Sequence, residues 1–81
     1  MLPPPVYVVA HKDAEKRMRG SATITLIAAC YEGMSYTDAR ALLRARHAGG
    51  TAEGLAHRIF EVDPQPVGGY WRVRSRLGDG G

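Results

Sequence analysis

Apolar and polar side chains alternate most regularly along residues 70–77. Three apolar side chains fall on one face of this segment and three arginines on the other, because successive side chains of a strand point to opposite sides. Residues 6–10 read Val-Tyr-Val-Val-Ala, a run of β-branched and aromatic side chains that also favours a short strand. Prolines precede residues 6–10, and a Gly-Gly pair precedes residues 70–77, as expected at the start of strands.

Helical spacing is clearest in the stretch that follows Ser35. Ser35 is a typical N-cap, and Asp38 three positions later completes a pair that resembles a capping box. Apolar residues then recur at helical spacing on one face, with arginines along another. The pair Gly49-Gly50 predicts the end of this helix, since one glycine can adopt the left-handed conformation there.

Two other segments fit both a helix and a strand. Residues 21–31 carry apolar side chains at both spacings, and their Ala-Ala-Cys-Tyr end favours the helix. Thr51 is a typical N-cap for a second short helix, which would extend to Ile59. Residues 57–62 also fit a strand, which would form a hairpin with residues 70–77. Between Asp13 and Gly20, acidic residues followed by basic ones predict a short helical turn.

The length of 81 residues predicts a single domain, with flexible ends at 1–5 and 78–81. The formal net charge of +3 permits binding to nucleic acid without requiring it. The apolar faces of the predicted elements indicate a core. Its expected members are Leu42, Leu43, Leu55, Ile59, Trp71 and Val73.

The chain contains one cysteine, Cys30, so it forms no intrachain disulfide, which suits a reducing compartment. Residues 1–5 have neither a basic start nor an apolar run, and no segment approaches the ~20 apolar residues that span a bilayer. We therefore expect a cytoplasmic protein that is not bound to a membrane.

Catalytic chemistry has little support in the residue pattern. Cys30 and the three histidines, His11, His47 and His57, do not have the spacing of zinc ligands. The acidic residues are scattered, and the glycines form neither a dinucleotide-binding nor a phosphate-binding loop. The sequence therefore predicts a protein that is not an enzyme and that uses no metal or cofactor.

A motif of two predicted helices joined by a glycine turn occupies the middle of the chain. Its parts are Tyr31-Glu32-Gly33, Ser35-Tyr36, Leu42-Leu43, Gly50-Thr51 and His57-Arg58. Over residues 24–59 this arrangement resembles region four of bacterial sigma factors and related helix-turn-helix regulators. In that family the serine caps the scaffold helix and the threonine opens the recognition helix, which enters the major groove.

Three features depart from the family pattern. The turn is about two residues longer than in that family, Leu55 lies one residue early, and Glu53 and Gly54 stand where polar base-reading residues are expected. An ordinary pair of antiparallel helices would show the same caps and apolar spacing.

The arginines of residues 70–77 have two interpretations. Behind a helix-turn-helix, a hairpin of residues 57–62 and 70–77 would be a wing whose arginines contact phosphates. If residues 70–77 instead form an edge strand, the positive charge of their arginine face would prevent pairing with other sheets. If residues 57–62 form that hairpin, the recognition helix shrinks to about residues 51–56.

These observations predict a small α+β domain with an N-terminal strand, two or three helices and a C-terminal β-hairpin, arranged as in a winged helix-turn-helix. The expected function is that of a DNA-binding transcriptional regulator or regulatory accessory protein. Its partner would be double-stranded DNA, with RNA polymerase or a second copy of the chain as a protein partner. The alternative is a non-catalytic protein-interaction module that uses an exposed strand edge or helix face. The predicted DNA-binding residues are Ser35, Arg44, Arg46, Thr51, His57, Arg58, Arg72, Arg74 and Arg76.

Overall fold

The computed structural model describes residues 1–77, in which five strands and two helices form. The strands are β1 (Val6–His11), β2 (Lys16–Arg17), β3 (Ile24–Ile27), β4 (His57–Val62) and β5 (Tyr70–Arg76). The helices are α1 (Tyr36–Ala48) and α2 (Ala52–Leu55), and short 3-10 turns occupy Lys12–Ala14 and Ala28–Cys30. The predicted flexible end at residues 78–81 lies outside the described residues.

The strands form one antiparallel sheet in the order β1-β4-β5-β3-β2. β4 and β5 form the predicted hairpin, and β1 pairs with β4 from Val6 opposite Val62 to His11 opposite His57. The α+β class predicted from the sequence is therefore confirmed. Of the two alternatives for residues 57–62, the structure has the strand.

The sheet curls, because its two outer strands are close neighbours in sequence. Only four residues, 12–15, connect β1 to β2, although these strands lie at opposite edges. Such a link spans at most about 17 Å, whereas the edges of a flat five-stranded sheet would lie roughly 19 Å apart. Curling encloses the inner face of the sheet. The buried cluster on that face consists of Val8, Ala10, Leu26, Phe60, Val62 and Trp71.

Helix α1 covers only part of the outer face. Ala39 and Leu43 of α1 pack with Val9 of β1 and Ile59 of β4 to form a second buried cluster. Its principal contacts with the sheet are with β1 and β4, so the outer side of β5, β3 and β2 is left without a helix packed on it. We call this uncovered outer side the open half of the sheet.

The helix favoured for residues 21–31 is wrong. Ile24–Ile27 is strand β3, and a 3-10 turn at Ala28–Cys30 follows it. In the strand, Leu26 lies opposite Trp71 and is fully buried on the inner face. Pairing with β5 therefore outweighs the local preference of the Ala-Ala-Cys-Tyr end for a helix.

The helical turn predicted between Asp13 and Gly20 is only partly formed. A 3-10 turn occupies Lys12–Ala14, but Lys16–Arg17 is strand β2. Gly20, with a φ of 76°, belongs to the turn that leads to β3. Pairing between β2 and β3 thus replaces the helical hydrogen bonds that the charge order favoured.

The predicted core is correct except at one position. Leu43, Ile59 and Trp71 are buried, and Leu42 and Val73 are half-buried, whereas Leu55 is 50% exposed. Helix α2 is a single turn and presents Gly54, which is buried, to the carbonyl of Arg46 in α1. Leu55, the next residue of that turn, therefore points to solvent.

The end of α1 allows a direct test of the glycine pair. Gly50 has a φ of 69°, in the left-handed region, whereas Gly49 has a helical φ of −68°. Gly50→Val should destabilise the fold by about 1–2 kcal/mol, because Cβ meets a backbone carbonyl in that conformation. Gly49→Val is the control and should cost much less. Thermal melts in which the two variants lose equal stability would contradict this account of the helix end.

Candidate nucleic-acid interface

The two predicted cap residues have structural roles. The Ser35 hydroxyl accepts a hydrogen bond from the Asp38 amide at 3.1 Å, and the Thr51 hydroxyl accepts one from the Gly54 amide at 2.9 Å. Both residues therefore cap helices, as expected. However, α2 ends at Leu55 after one turn, and the chain enters β4 at His57. A single turn presents too little surface to lie along a major groove.

His57 and Arg58, expected on a recognition helix, instead contact the backbone around the end of α2. Arg58 donates from Nη1 to the carbonyl oxygens of Leu55 at 2.7 Å and His57 at 2.8 Å. The His57 Nδ1 atom lies 2.8 Å from the Glu53 carbonyl oxygen. Both side chains are half-buried. Arg58 thus satisfies the carbonyl oxygen of Leu55, the last residue of α2.

Two of the three strand arginines are engaged in ion pairs. Arg74 Nε lies 2.6 Å from Asp63 Oδ1. Arg76 donates hydrogen bonds to both carboxylate oxygens of Glu15, and the Nη2–Oε2 distance is 2.8 Å. The hydrogen bond from Arg76 lowers the pKa of Glu15 below its ordinary value. Arg74 and Arg76 are exposed, but carboxylates offset much of their charge.

The pair between Glu15 and Arg76 predicts a pH-dependent contribution to stability. Because folding lowers the pKa of Glu15, this contribution is present above the ordinary value of 4.5 and is lost as the pH falls through the folded-state pKa. Glu15→Gln should therefore lower the melting temperature at pH 7, with the difference from wild type shrinking below pH 4.5. Glu32→Gln, at an exposed glutamate without an ion pair in residues 1–77, is the control. A Glu15→Gln deficit that is constant with pH would contradict the assignment.

The remaining predicted cations do not form one surface with the caps. Arg44 and Arg46 are exposed on α1, and Arg72 is exposed on β5. Their guanidinium groups make no hydrogen bond or ion pair with the rest of residues 1–77. The structure thus separates these cations, with Arg44 and Arg46 on α1 and Arg72 on the open half of the sheet.

A surface on this open half was not foreseen from the sequence. Lys16 of β2 lies opposite Thr25 of β3, which lies opposite Arg72 of β5, and Ile27 lies opposite Tyr70. Side chains at directly opposed positions share one face, and it is the outer one, because Leu26 and Trp71 point to the inner core. We call this surface the basic sheet face. It consists of Lys16, Thr25, Ile27, Tyr70 and Arg72.

The charge of the basic sheet face is not offset locally. Residues 16–31 and 64–77 contain no Asp or Glu. Lys16 and Arg72 are exposed, and neither forms an ion pair within residues 1–77. The Thr25 hydroxyl donates to the Lys16 carbonyl oxygen at 2.9 Å, which fixes β2 on β3 and so positions the lysine. The absence of acidic residues from these two segments is visible in the sequence. The strand pairing that brings the two segments together is not.

A shallow groove of about 300 Å³ borders this face. Its walls combine the hydroxyls of Ser21 and Thr23 with the side chains of Met18, Val67 and Tyr70, and Arg72 lies beside them. Met18 is 47% exposed and Val67 63% exposed. The groove therefore offers hydroxyls, apolar atoms and one aromatic ring next to a cation.

The three histidines, considered as metal ligands, approach one another without forming a metal site. The rings of His11 and His57 lie 5.9 Å apart, and His47 Nε2 lies 3.2 Å from the His57 carbonyl oxygen. Within residues 1–77, no group of three or more His, Cys, Asp or Glu side chains is placed to hold a metal ion. Cys30 is exposed.

Comparisons with known proteins add no relative. No protein-family model matches the chain, and comparison with curated proteins and with solved structures likewise returns no match. Among residues 1–77, no helix has the length and apolar character needed to cross a membrane. The basic sheet face is therefore the main indication of function.

Proposed function

We propose that the protein binds nucleic acid through the phosphate backbone, using the basic sheet face. The observation that carries this proposal is the row formed by Lys16, Thr25 and Arg72 across three strands. Both cations are unpaired within residues 1–77, and residues 16–31 and 64–77, which contain them, have no Asp or Glu. Phosphate contacts by Lys and Arg supply most of the affinity in such complexes. The regulatory role on DNA that the helix-turn-helix resemblance implies would then depend on this face and not on α2.

The geometry favours the sheet over the helices as the binding surface. Strands in a sheet are about 4.8 Å apart, so the backbones of Lys16 and Arg72 lie roughly 10 Å from each other with Thr25 between them. Two long cationic side chains at this separation can contact separate phosphates of one strand. On the helical side, α2 is one turn long and Arg58 is occupied by carbonyl oxygens.

The salt dependence of binding distinguishes the two surfaces. Each phosphate contact contributes about 0.9 to the slope of log affinity against log salt for duplex DNA. The double variant Lys16→Gln/Arg72→Gln should therefore flatten this slope by about two units. The measurement is fluorescence anisotropy with a random-sequence DNA duplex at several salt concentrations.

The matched control is Arg44→Gln/Arg46→Gln, which removes the same charge from exposed positions on α1. It should change the slope much less than the sheet variant. If only the α1 variant flattens the slope, binding occurs on the helix-turn-helix side and our assignment is wrong. If the wild-type protein binds neither duplex nor single-stranded nucleic acid at low salt, the nucleic-acid proposal fails and the protein-interaction alternative takes its place.

For that alternative, one position on the free edge of β1 is already paired. Tyr7 and Met34 exchange two backbone hydrogen bonds of 2.8 Å on the side of β1 that faces away from β4. A partner strand would have to displace this bridge before it could extend the sheet there.

A further inference from the structure

The groove beside the basic sheet face carries features that phosphate binding does not use. Met18 and Val67 leave apolar atoms in water at its walls, and the half-buried ring of Tyr70 lines it together with the hydroxyls of Ser21 and Thr23. Ile27, opposite Tyr70 on the same face, is a further exposed apolar side chain. Exposed apolar side chains collected beside unpaired cations indicate a ligand that combines negative charge with flat apolar surface.

Duplex DNA presents the wrong chemistry to this groove. The outer surface of a duplex consists of phosphates and sugars, and its bases are paired and stacked inside. Bound to a duplex, Lys16 and Arg72 would be satisfied, but Met18, Val67 and Tyr70 would face sugar–phosphate or water. In an unpaired strand the bases can turn outward, stack on an aromatic ring and form hydrogen bonds through their edges.

From this fit we infer that the ligand of the basic sheet face is an unpaired polynucleotide strand. One base lies against Tyr70 between the apolar walls, and the adjoining phosphates lie at Lys16 and Arg72. The Thr23 hydroxyl is available to base edges. The Ser21 hydroxyl accepts from the Thr23 amide at 3.0 Å but can still donate to a base, whereas that of Thr25 is committed to the Lys16 carbonyl. This inference rests on the proposed function and specifies its ligand.

The position of Arg72 supports the same arrangement. Arg72 and Tyr70 are two residues apart on β5 and therefore project from the same side of the strand, about 7 Å apart along it. A cation next to a stacking platform can hold the phosphate of the nucleotide whose base is stacked. Its neighbours Arg74 and Arg76 are held by carboxylates, so Arg72 is the unpaired guanidinium of β5 within residues 1–77.

The test compares three labelled probes by fluorescence anisotropy at one salt concentration. These are an oligothymidylate of about 12 nucleotides, an oligouridylate of the same length and a DNA duplex of that length. We expect both single strands, or one of them, to bind at least about tenfold more tightly than the duplex. A preference between the two strands reports the combined effect of the sugar and of the thymine methyl group, which uracil lacks.

Tyr70 variants separate stacking from a general effect on the fold. Tyr70→Leu should weaken single-strand binding by about five- to 150-fold, the range that loss of one stacked base produces. It should leave duplex binding unchanged, and Tyr70→Phe, which keeps the ring, should retain the wild-type affinity. Thermal melts of both variants establish that the sheet still forms.

The outcomes distinguish this inference from the proposed function. If the duplex binds as tightly as the single strands, phosphate binding stands and the inference is overturned. The inference is also overturned if Tyr70→Leu weakens the duplex and the single strands equally. If none of the probes binds at low salt, the proposed function fails as well.

Discussion

Alanine in place of Leu43 is expected to remove a large part of the stability of the fold. Leu43 is 1% exposed and packs with Val9, Ala39 and Ile59, where α1 meets the outer face of the sheet. A buried leucine truncated to alanine costs about 2–5 kcal/mol, because the transfer free energy is lost and a cavity remains. A chain of this length has a total stability of roughly 4–12 kcal/mol. Urea denaturation should therefore show a much lower midpoint.

The adjacent Leu42 serves as the control for Leu43. It is half-buried at the margin of the same cluster, so Leu42→Ala removes the same atoms from a partly solvated position. We expect it to cost about 1 kcal/mol, well below the range for a fully buried leucine. Equal losses for the two variants would mean that α1 does not pack on β1 and β4 by the face described here.

The parts of the fold that were predictable are those with a local cause. The start of α1 follows from the Ser35 hydroxyl, which accepts from an amide three residues ahead. Its end follows from Gly50, whose positive φ other residues adopt only with strain. The pairing of β4 with β5 follows from the short turn between them. In each case the deciding interaction joins residues close together in the chain.

Residues 21–31 were misassigned because their deciding interaction is distant. Ala-rich composition favours a helix locally, but burial of Leu26 requires a strand opposite Trp71, 45 positions later. The short β2 has the same origin, since it exists only where β3 is present to pair with it. The basic sheet face depends on both strands, so it could not be deduced before they were known.

For the three arginines of β5, exposure has a local cause and ion pairing has a distant one. Arg72, Arg74 and Arg76 are all exposed, as the alternation along residues 70–77 predicts. A β-bulge opposite Glu61 and Val62 interrupts this alternation, so Arg76 lies opposite the inner-face residue Phe60 and does not share the face of Arg72. Which of them is free depends on carboxylates brought from elsewhere, Asp63 across the hairpin turn and Glu15 from the connection between β1 and β2. Glu15 is 61 positions from Arg76, so its role could be seen only in the folded chain.

Gly54→Ala is the second substitution for which a large loss is expected. In an isolated helix this change would stabilise by up to about 1 kcal/mol, because alanine is the better helix former. In this fold a Cβ at position 54 would lie 2.2 Å from the Arg46 carbonyl oxygen and 3.1 Å from the Thr51 hydroxyl. Since the carbonyl belongs to the backbone of α1, α2 must move away from α1, which costs about 1–3 kcal/mol or more. The sign of the change in the free energy of unfolding therefore reports whether α1 and α2 are in contact.

Gly49→Ala provides the matched control, because it adds the same methyl group near the same carbonyl. There the Cβ would lie 3.7 Å from the Arg46 oxygen, an ordinary contact, and the backbone is already helical. Gly49→Ala should be neutral or stabilising by up to about 1 kcal/mol, while Gly54→Ala lowers the urea midpoint. If Gly54→Ala were also neutral, α2 would be free of α1. The glycine that departs from the helix-turn-helix pattern is thus explained by packing, since the turn after α1 closes only if position 54 has no side chain.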